Sequence, residues 1–128
     1  MRSAAALALM LALATPAAAQ EGVSAPGGVL RLLDKITGEL VDLDLSTGQS
    51  AGYRRLTIRL DDCRYPAADP ASDAFAHLTI VDTVVGQTVF SGWMIASSPG
   101  LSAMDNPRYD VWVLRCAIPG GTPADSGG

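Results

Sequence analysis

Histidine is almost missing from this 128-residue chain: His77 is the only one. Lysine is as scarce, with Lys35 alone, and cysteine occurs twice, as Cys63 and Cys116. Aromatic residues make up 5% of the chain. Each shortage removes a class of chemistry. One histidine leaves too few ligands for zinc if the two cysteines pair with each other. No Cys-X-X-Cys occurs, which argues against a thiol redox centre. No serine sits in a Gly-X-Ser-X-Gly elbow. The glycine pairs Gly27-Gly28 and Gly120-Gly121 lie in the tails, so no phosphate-cradling loop is available. The arginines are scattered and the net charge is −4, which argues against nucleic acid or an anionic membrane surface as a partner. No cofactor is expected.

What is present begins with an address. Arg2 is followed by an apolar run from Ala4 to Ala14, then Pro16 and the small residues Ala17-Ala18-Ala19. Residues 1–19 therefore read as a signal peptide with a cleavage site. The run is too short to cross a bilayer, which needs roughly 20 residues. Cleavage after Ala19 leaves a chain starting at Gln20, and no cysteine follows to take a lipid. The expected product is a soluble exported protein with no membrane span, periplasmic in a Gram-negative cell.

The ends of that product read as punctuation. Residues 20–28 carry Gly22, Pro26, Gly27 and Gly28 and predict a flexible linker. Residues 117–128 have no large side chain after Ile118 and predict a disordered tail. The folded domain is then 29–116, and its pattern is β. Val29 to Ile36 and Glu39 to Leu45 alternate around Thr37-Gly38, which predicts a hairpin. Ser46 to Gly52 reads as a polar loop. Tyr53 to Asp62 has period 2, with Leu56, Ile58 and Leu60 on one face. Phe75 to Asp82, Val89 to Ala96 and Tyr109 to Cys116 complete about six strands. The last two are apolar on both faces, which predicts central positions. Pro99 starts one short helical turn in the loop after Ala96. The expected fold is all-β, a small antiparallel sandwich or barrel. No internal repeat is visible.

Cys63 and Cys116 each end a strand, and an even pair in an oxidising compartment predicts a disulfide. Cys63 is out of phase with Leu56, Ile58 and Leu60, and a bulge at Asp61-Asp62 would restore the phase. Trp93, Tyr109 and Trp112 lie in apolar strand runs and are expected as core anchors. Ser98-Pro99 and Asn106-Pro107 fix the ends of the 96–107 loop, with Leu101 and Met104 directed inward. If they are instead exposed, Ser97, Ser98, Pro99, Leu101 and Met104 form the candidate interaction surface. Asp42 to Gly48 briefly matches a calcium loop, but its glycine comes late and Tyr53 stands where glutamate is required.

Val29 to Gly38, then Leu56-Thr57-Ile58 ending in Cys63, carry a resemblance. So do Phe90-Ser91-Gly92-Trp93-Met94, Ala96-Ser97-Ser98-Pro99, Tyr109-Asp110-Val111-Trp112-Val113-Leu114 and Cys116. Together these stretches resemble the DUF2155 family of exported bacterial proteins of unknown function, over 29–116. The resemblance implies export and the domain limits, and it implies no catalytic residue. The expected function is a non-catalytic binding or scaffold module of the cell envelope, with a protein partner there. An alternative is an acidic inhibitor of a basic enzyme such as a lysozyme, motivated by the charge and by an exposed Gly48–Tyr53 loop. A third reading is a hydrolase using Ser97 or Ser98 with His77.

Overall fold

The computed structural model describes residues 22–119, so the expected signal peptide and most of the expected tail lie outside the described residues. Eight strands follow in order: β1 Gly22–Ser24, β2 Gly27–Asp34, β3 Leu40–Ser46, β4 Ser50–Tyr53, β5 Leu56–Pro66, β6 Phe75–Asp82, β7 Gln87–Ile95 and β8 Tyr109–Cys116. They form two antiparallel sheets, an open sandwich and not a barrel. One sheet has the order β3-β2-β8. The other runs β1-β5-β6-β7, with β4 also on β5. The chain changes sheets between β3 and β4, at a turn where Gly48 takes a φ of 87°. A single 3-10 turn, Pro99–Ser102, lies in the loop after Ala96.

Period-2 alternation decides which side chains meet. From the three-stranded sheet, Leu30, Leu32, Leu45, Val111 and Val113 point inward, each at most 3% exposed. Leu56, Ile58, Leu60, Leu78, Ile80 and Met94 face them from the larger sheet. Burying this aliphatic layer between two sheets is the main favourable term for a domain this small.

Several expectations need correction. Residues 22–28 are not a flexible linker: β1 pairs with the end of β5, and Gly27 and Gly28 are buried in β2. Those glycines mark close approach. A Cβ on Gly27 would collide with the Leu45 carbonyl oxygen, and one on Gly28 would lie 2.9 Å from Cys63 Sγ. At the other end, Ala117 donates its N–H to the Gly27 carbonyl and Ile118 packs on the core, so these two residues belong to the sandwich and not to a disordered tail. The Ser46–Gly52 loop is shorter than expected, because β4 starts at Ser50. The apolar strands β7 and β8 are edges of their sheets and not central. Their second apolar face is the outer surface of the sandwich. Trp93 is 42% exposed there, and Trp112 is half-buried on the outer face of the other sheet, beside Arg31. Neither tryptophan anchors the core; Tyr109, 1% exposed, does.

The two cysteines form the expected disulfide, with Cα atoms 5.7 Å apart. Two bulges bring them together. The register of β5 on β6 shifts between Leu60 and Asp62, so Asp61 is the extra residue and Cys63 turns inward. The register of β8 on β2 shifts at Leu114, between the pairs Val29–Arg115 and Leu30–Val113. That second bulge puts Cys116 in phase with Val111 and Val113, and not with Trp112 and Leu114 as the unbroken period implies.

Candidate functional site

A hydrolase would need a serine and a base in contact. Ser97 follows β7, and its hydroxyl donates to Asp73 Oδ2 at 2.7 Å. Its N–H donates to Asp73 Oδ1 at 3.0 Å, as does the N–H of Ala74 at 2.8 Å. Burial raises the Asp73 pKa, but these three donors outweigh it and leave the carboxyl below its ordinary value. Asp73 thus ties the loop before β6 to the loop after β7. The two residues line a cleft of about 420 Å³, walled by Ala74, Ala96, Leu114 and Ile118 near the disulfide. No histidine lines it.

His77 belongs to another place. It sits in β6 on the outer face of the larger sheet, and its Nδ1 lies 2.8 Å from Asp61 Oδ2. Thr79 donates to the same oxygen at 2.6 Å. Desolvation raises the Asp61 pKa, and the bonds from Thr79 and His77 with the Arg59 charge bring it below the usual value. An ionised Asp61 only accepts, so Nδ1 is the protonated ring nitrogen. The bulge that turns Cys63 inward is what places Asp61 outward beside His77. Across the ladder, Trp93 meets the imidazole edge-on, 5.2 Å between centroids. Arg64 lies 5.6 Å from the indole centroid and is held by Asp62 at 2.8 Å. The outer face therefore shows an ordered row of Arg64, His77 and Trp93, one residue from each of three strands.

The expected interaction surface divides. Ser97, Pro99 and Leu101 are exposed, Leu101 at 77%, and Ser98 is half-buried. Met104 is 2% exposed and belongs to the core, so it drops out of the surface. Leu101 does not point inward, because the 3-10 turn buries none of its residues. The exit of this loop is held by Asn106, whose Oδ1 accepts the N–H groups of Arg108 and Tyr109 at 2.9 and 3.0 Å. The exposed loop that motivated the inhibitor reading is largely strand β4.

The strongest electrostatic arrangement was not foreseen. It lies at the opposite end of the sandwich from the disulfide. Asp34, fully buried, ends β2 and accepts from the N–H groups of Ile36 and Thr37 at 3.0 and 3.3 Å. Arg108 bonds its other oxygen at 3.0 Å, and Arg54 lies 3.3 Å away. The Arg108 bond, aided by the two backbone donors against desolvation, holds the Asp34 pKa down to about 2. Asp82 repeats the device at the end of β6. It accepts from the N–H groups of Val84 and Val85 at 2.9 and 3.4 Å and from Arg55 at 2.8 Å. Burial raises its pKa, and those bonds outweigh the burial. In each turn the glycine four residues on donates back to the aspartate carbonyl, Gly38 at 2.7 Å and Gly86 at 2.8 Å, both with positive φ. The sequence carries Asp-X-X-X-Gly at 34–38 and 82–86, and the same spacing at 44–48 forms no such turn, because Gly48 donates to the Leu60 carbonyl instead. Adjacent arginines serve the two turns, and Arg54 takes a left-handed φ of 50° to do so.

Among the described residues, no helix is long and apolar enough to cross a membrane and no group of three or more metal-ligating side chains gathers. No solved structure matches the chain. An uncharacterized protein of Rickettsia prowazekii (strain Madrid E) is 26% identical over 92 residues, covering 70% of this chain. The chain spans 59% of that relative's length. Residues 28–116 match a family described as uncharacterized protein conserved in bacteria (DUF2155). That range is the sandwich from β2 to β8, and with it the chain belongs to the DUF2155 family.

Proposed function

We propose that the chain is an exported, non-catalytic binding module of the bacterial cell envelope. One observation carries the reading: Ser97, one of the two serines a hydrolase could use, and His77 are committed to separate networks. Ser97 serves Asp73 in the cleft, and His77 serves Asp61 on the outer face. A disulfide between distant strands supports export to an oxidising compartment, and residues 1–19 have the composition of a signal peptide. The surface offered to a protein partner is the outer face around Trp93 together with exposed Leu101. An aromatic side chain held between a guanidinium and an imidazole is the kind of anchor that dominates protein interfaces.

The test is complementation of a deletion strain with variants that fold, checked by the disulfide and circular dichroism. His77→Gln, which removes the imidazole base but keeps a donor for Asp61 and a planar group beside Trp93, and Ser98→Ala are expected to restore function. Trp93→Ser with Leu101→Ser is expected to fail, and a photo-crosslinker at position 101 is expected to capture an envelope protein. A folded His77→Gln that behaves as a deletion would sink the reading.

A further inference from the structure

The two Asp-X-X-X-Gly turns place an aliphatic side chain at the same apex position. Ile36 and Val84 are each two residues past the buried aspartate, and each donates its N–H to it. Ile36 is 72% exposed and Val84 70%, with Val85 at 56% and Leu40 at 53% beside them. Four of the seven large hydrophobic residues exposed among the described residues therefore gather at one end. Turn apices normally carry Gly, Asn, Asp or Ser, each for a backbone reason. Here the buried aspartate already performs that backbone work, so the apex is free to carry an aliphatic group.

The turns are fixed relative to one another. Arg54 reaches Asp34, Arg55 reaches Asp82, and Thr83 donates its N–H to the Arg55 carbonyl at 2.8 Å. Three hairpin tips thus end together. We propose that this end is a membrane-docking surface that dips Ile36, Leu40, Val84 and Val85 into the interfacial region of a lipid bilayer.

Shape and chemistry select that occupant. The side chains stand on separate protruding turns, so a fluid surface can close around them. All four are aliphatic, without the aromatic or hydrogen-bonding groups that give protein interfaces direction. Every cation at this end has a carboxylate: Lys35 with Asp110 at 3.6 Å, Arg54 with Asp34 and Glu39, Arg55 with Asp82, and Arg108 with Asp34. The attraction is therefore apolar and not ionic, and binding is shallow and reversible. The proposal goes beyond the binding-module reading, since it assigns a second surface at a different end from Trp93 and Leu101.

The experiment is flotation of the secreted chain with vesicles of phosphatidylethanolamine and a minor share of phosphatidylglycerol. Intact mass confirms beforehand that residues 1–19 are gone, so the apolar leader contributes nothing. The wild-type chain is expected to float. Ile36→Asp with Val84→Asp is expected to lower the bound fraction by about tenfold or more. Both positions are exposed, so the fold survives, which the disulfide reports. Trp93→Ser with Leu101→Ser is expected to float like wild type, which separates this surface from the partner site. Raising the salt is expected to leave the bound fraction nearly unchanged. A wild-type chain that stays with the aqueous phase, or a double Asp variant that floats equally, overturns the proposal. So does flotation that salt abolishes, because that is attraction by charge.

Discussion

The turn after β2 and the turn after β6 use the same five-residue grammar in opposite sheets, yet they are not equal. Asp34 is fully buried and meets two arginines, one from the β4–β5 hairpin and one from the residue before β8. Asp82 is 8% exposed and meets one. Asp34 therefore joins three chain segments across both sheets, while Asp82 closes a corner of one sheet. Like charges gathered around one carboxylate would repel on their own; the buried anion is what makes the convergence of Arg54 and Arg108 favourable. Donors outweigh burial in both turns, and the difference between them lies in how many distant segments the carboxylate recruits.

The largest expected effect comes from a bond at the far end, against which both turns can be measured. Reducing Cys63–Cys116 releases a closure with a sequence separation of 53 residues. The chain-entropy cost is about 4 kcal/mol, enough to lower Tm by more than about 10 °C in a domain of this size. Calorimetry with and without reductant checks it. Within the comparison itself, Asp34→Asn is expected to lower Tm further than Asp82→Asn. Equal losses would mean that the second arginine on Asp34 contributes nothing.

Acid sharpens the same contrast. The Asp34 pKa is depressed, so its stabilisation is complete above the ordinary carboxylate value near 4 and disappears as pH falls through about 2. The stability gap between wild type and Asp34→Asn is therefore expected to hold from neutral pH to about pH 4 and to close below it. Urea unfolding at a series of pH values measures this. Gly38→Ala and Gly86→Ala should cost about 1 to 2 kcal/mol each, because both glycines hold positive φ with open space around the missing Cβ. Matching costs would show that the two turns share one backbone requirement. Smallest of all, Ile36→Thr and Val84→Thr should change Tm little, since both side chains are exposed.

Much of this architecture is written in residue alternation. The limits of β6 and β8 follow from their apolar runs, and Pro99 marks the 3-10 turn. The phase slip of Cys63 announces the Asp61 bulge. Other parts are hidden for physical reasons. Gly27 and Gly28 read as a flexible lead because the same residue that frees a chain also lets two backbones touch. Trp93 and Trp112 read as core because an edge strand with aromatic residues on its outer face has the composition of a central one. Leu101 and Met104 share a spacing of three, which says they could lie together and not which way the loop turns. The paired aspartate turns escape notice because only Asp and Gly are shared, and the side chains between them face solvent.

The two bulges have a consequence for how the chain acquires its shape. Each shifts one strand by a single residue, and each decides whether a sulfur points into the sandwich or away from it. Pairing of the sulfurs therefore requires that β5 has settled correctly on β6, that β8 has settled correctly on β2, and that the two sheets have met. A slip in either ladder leaves a thiol on the outside, open to reduction and another attempt. Oxidation acts on this protein as a lock that turns only when two independent keys are cut correctly, and it makes the finished register permanent.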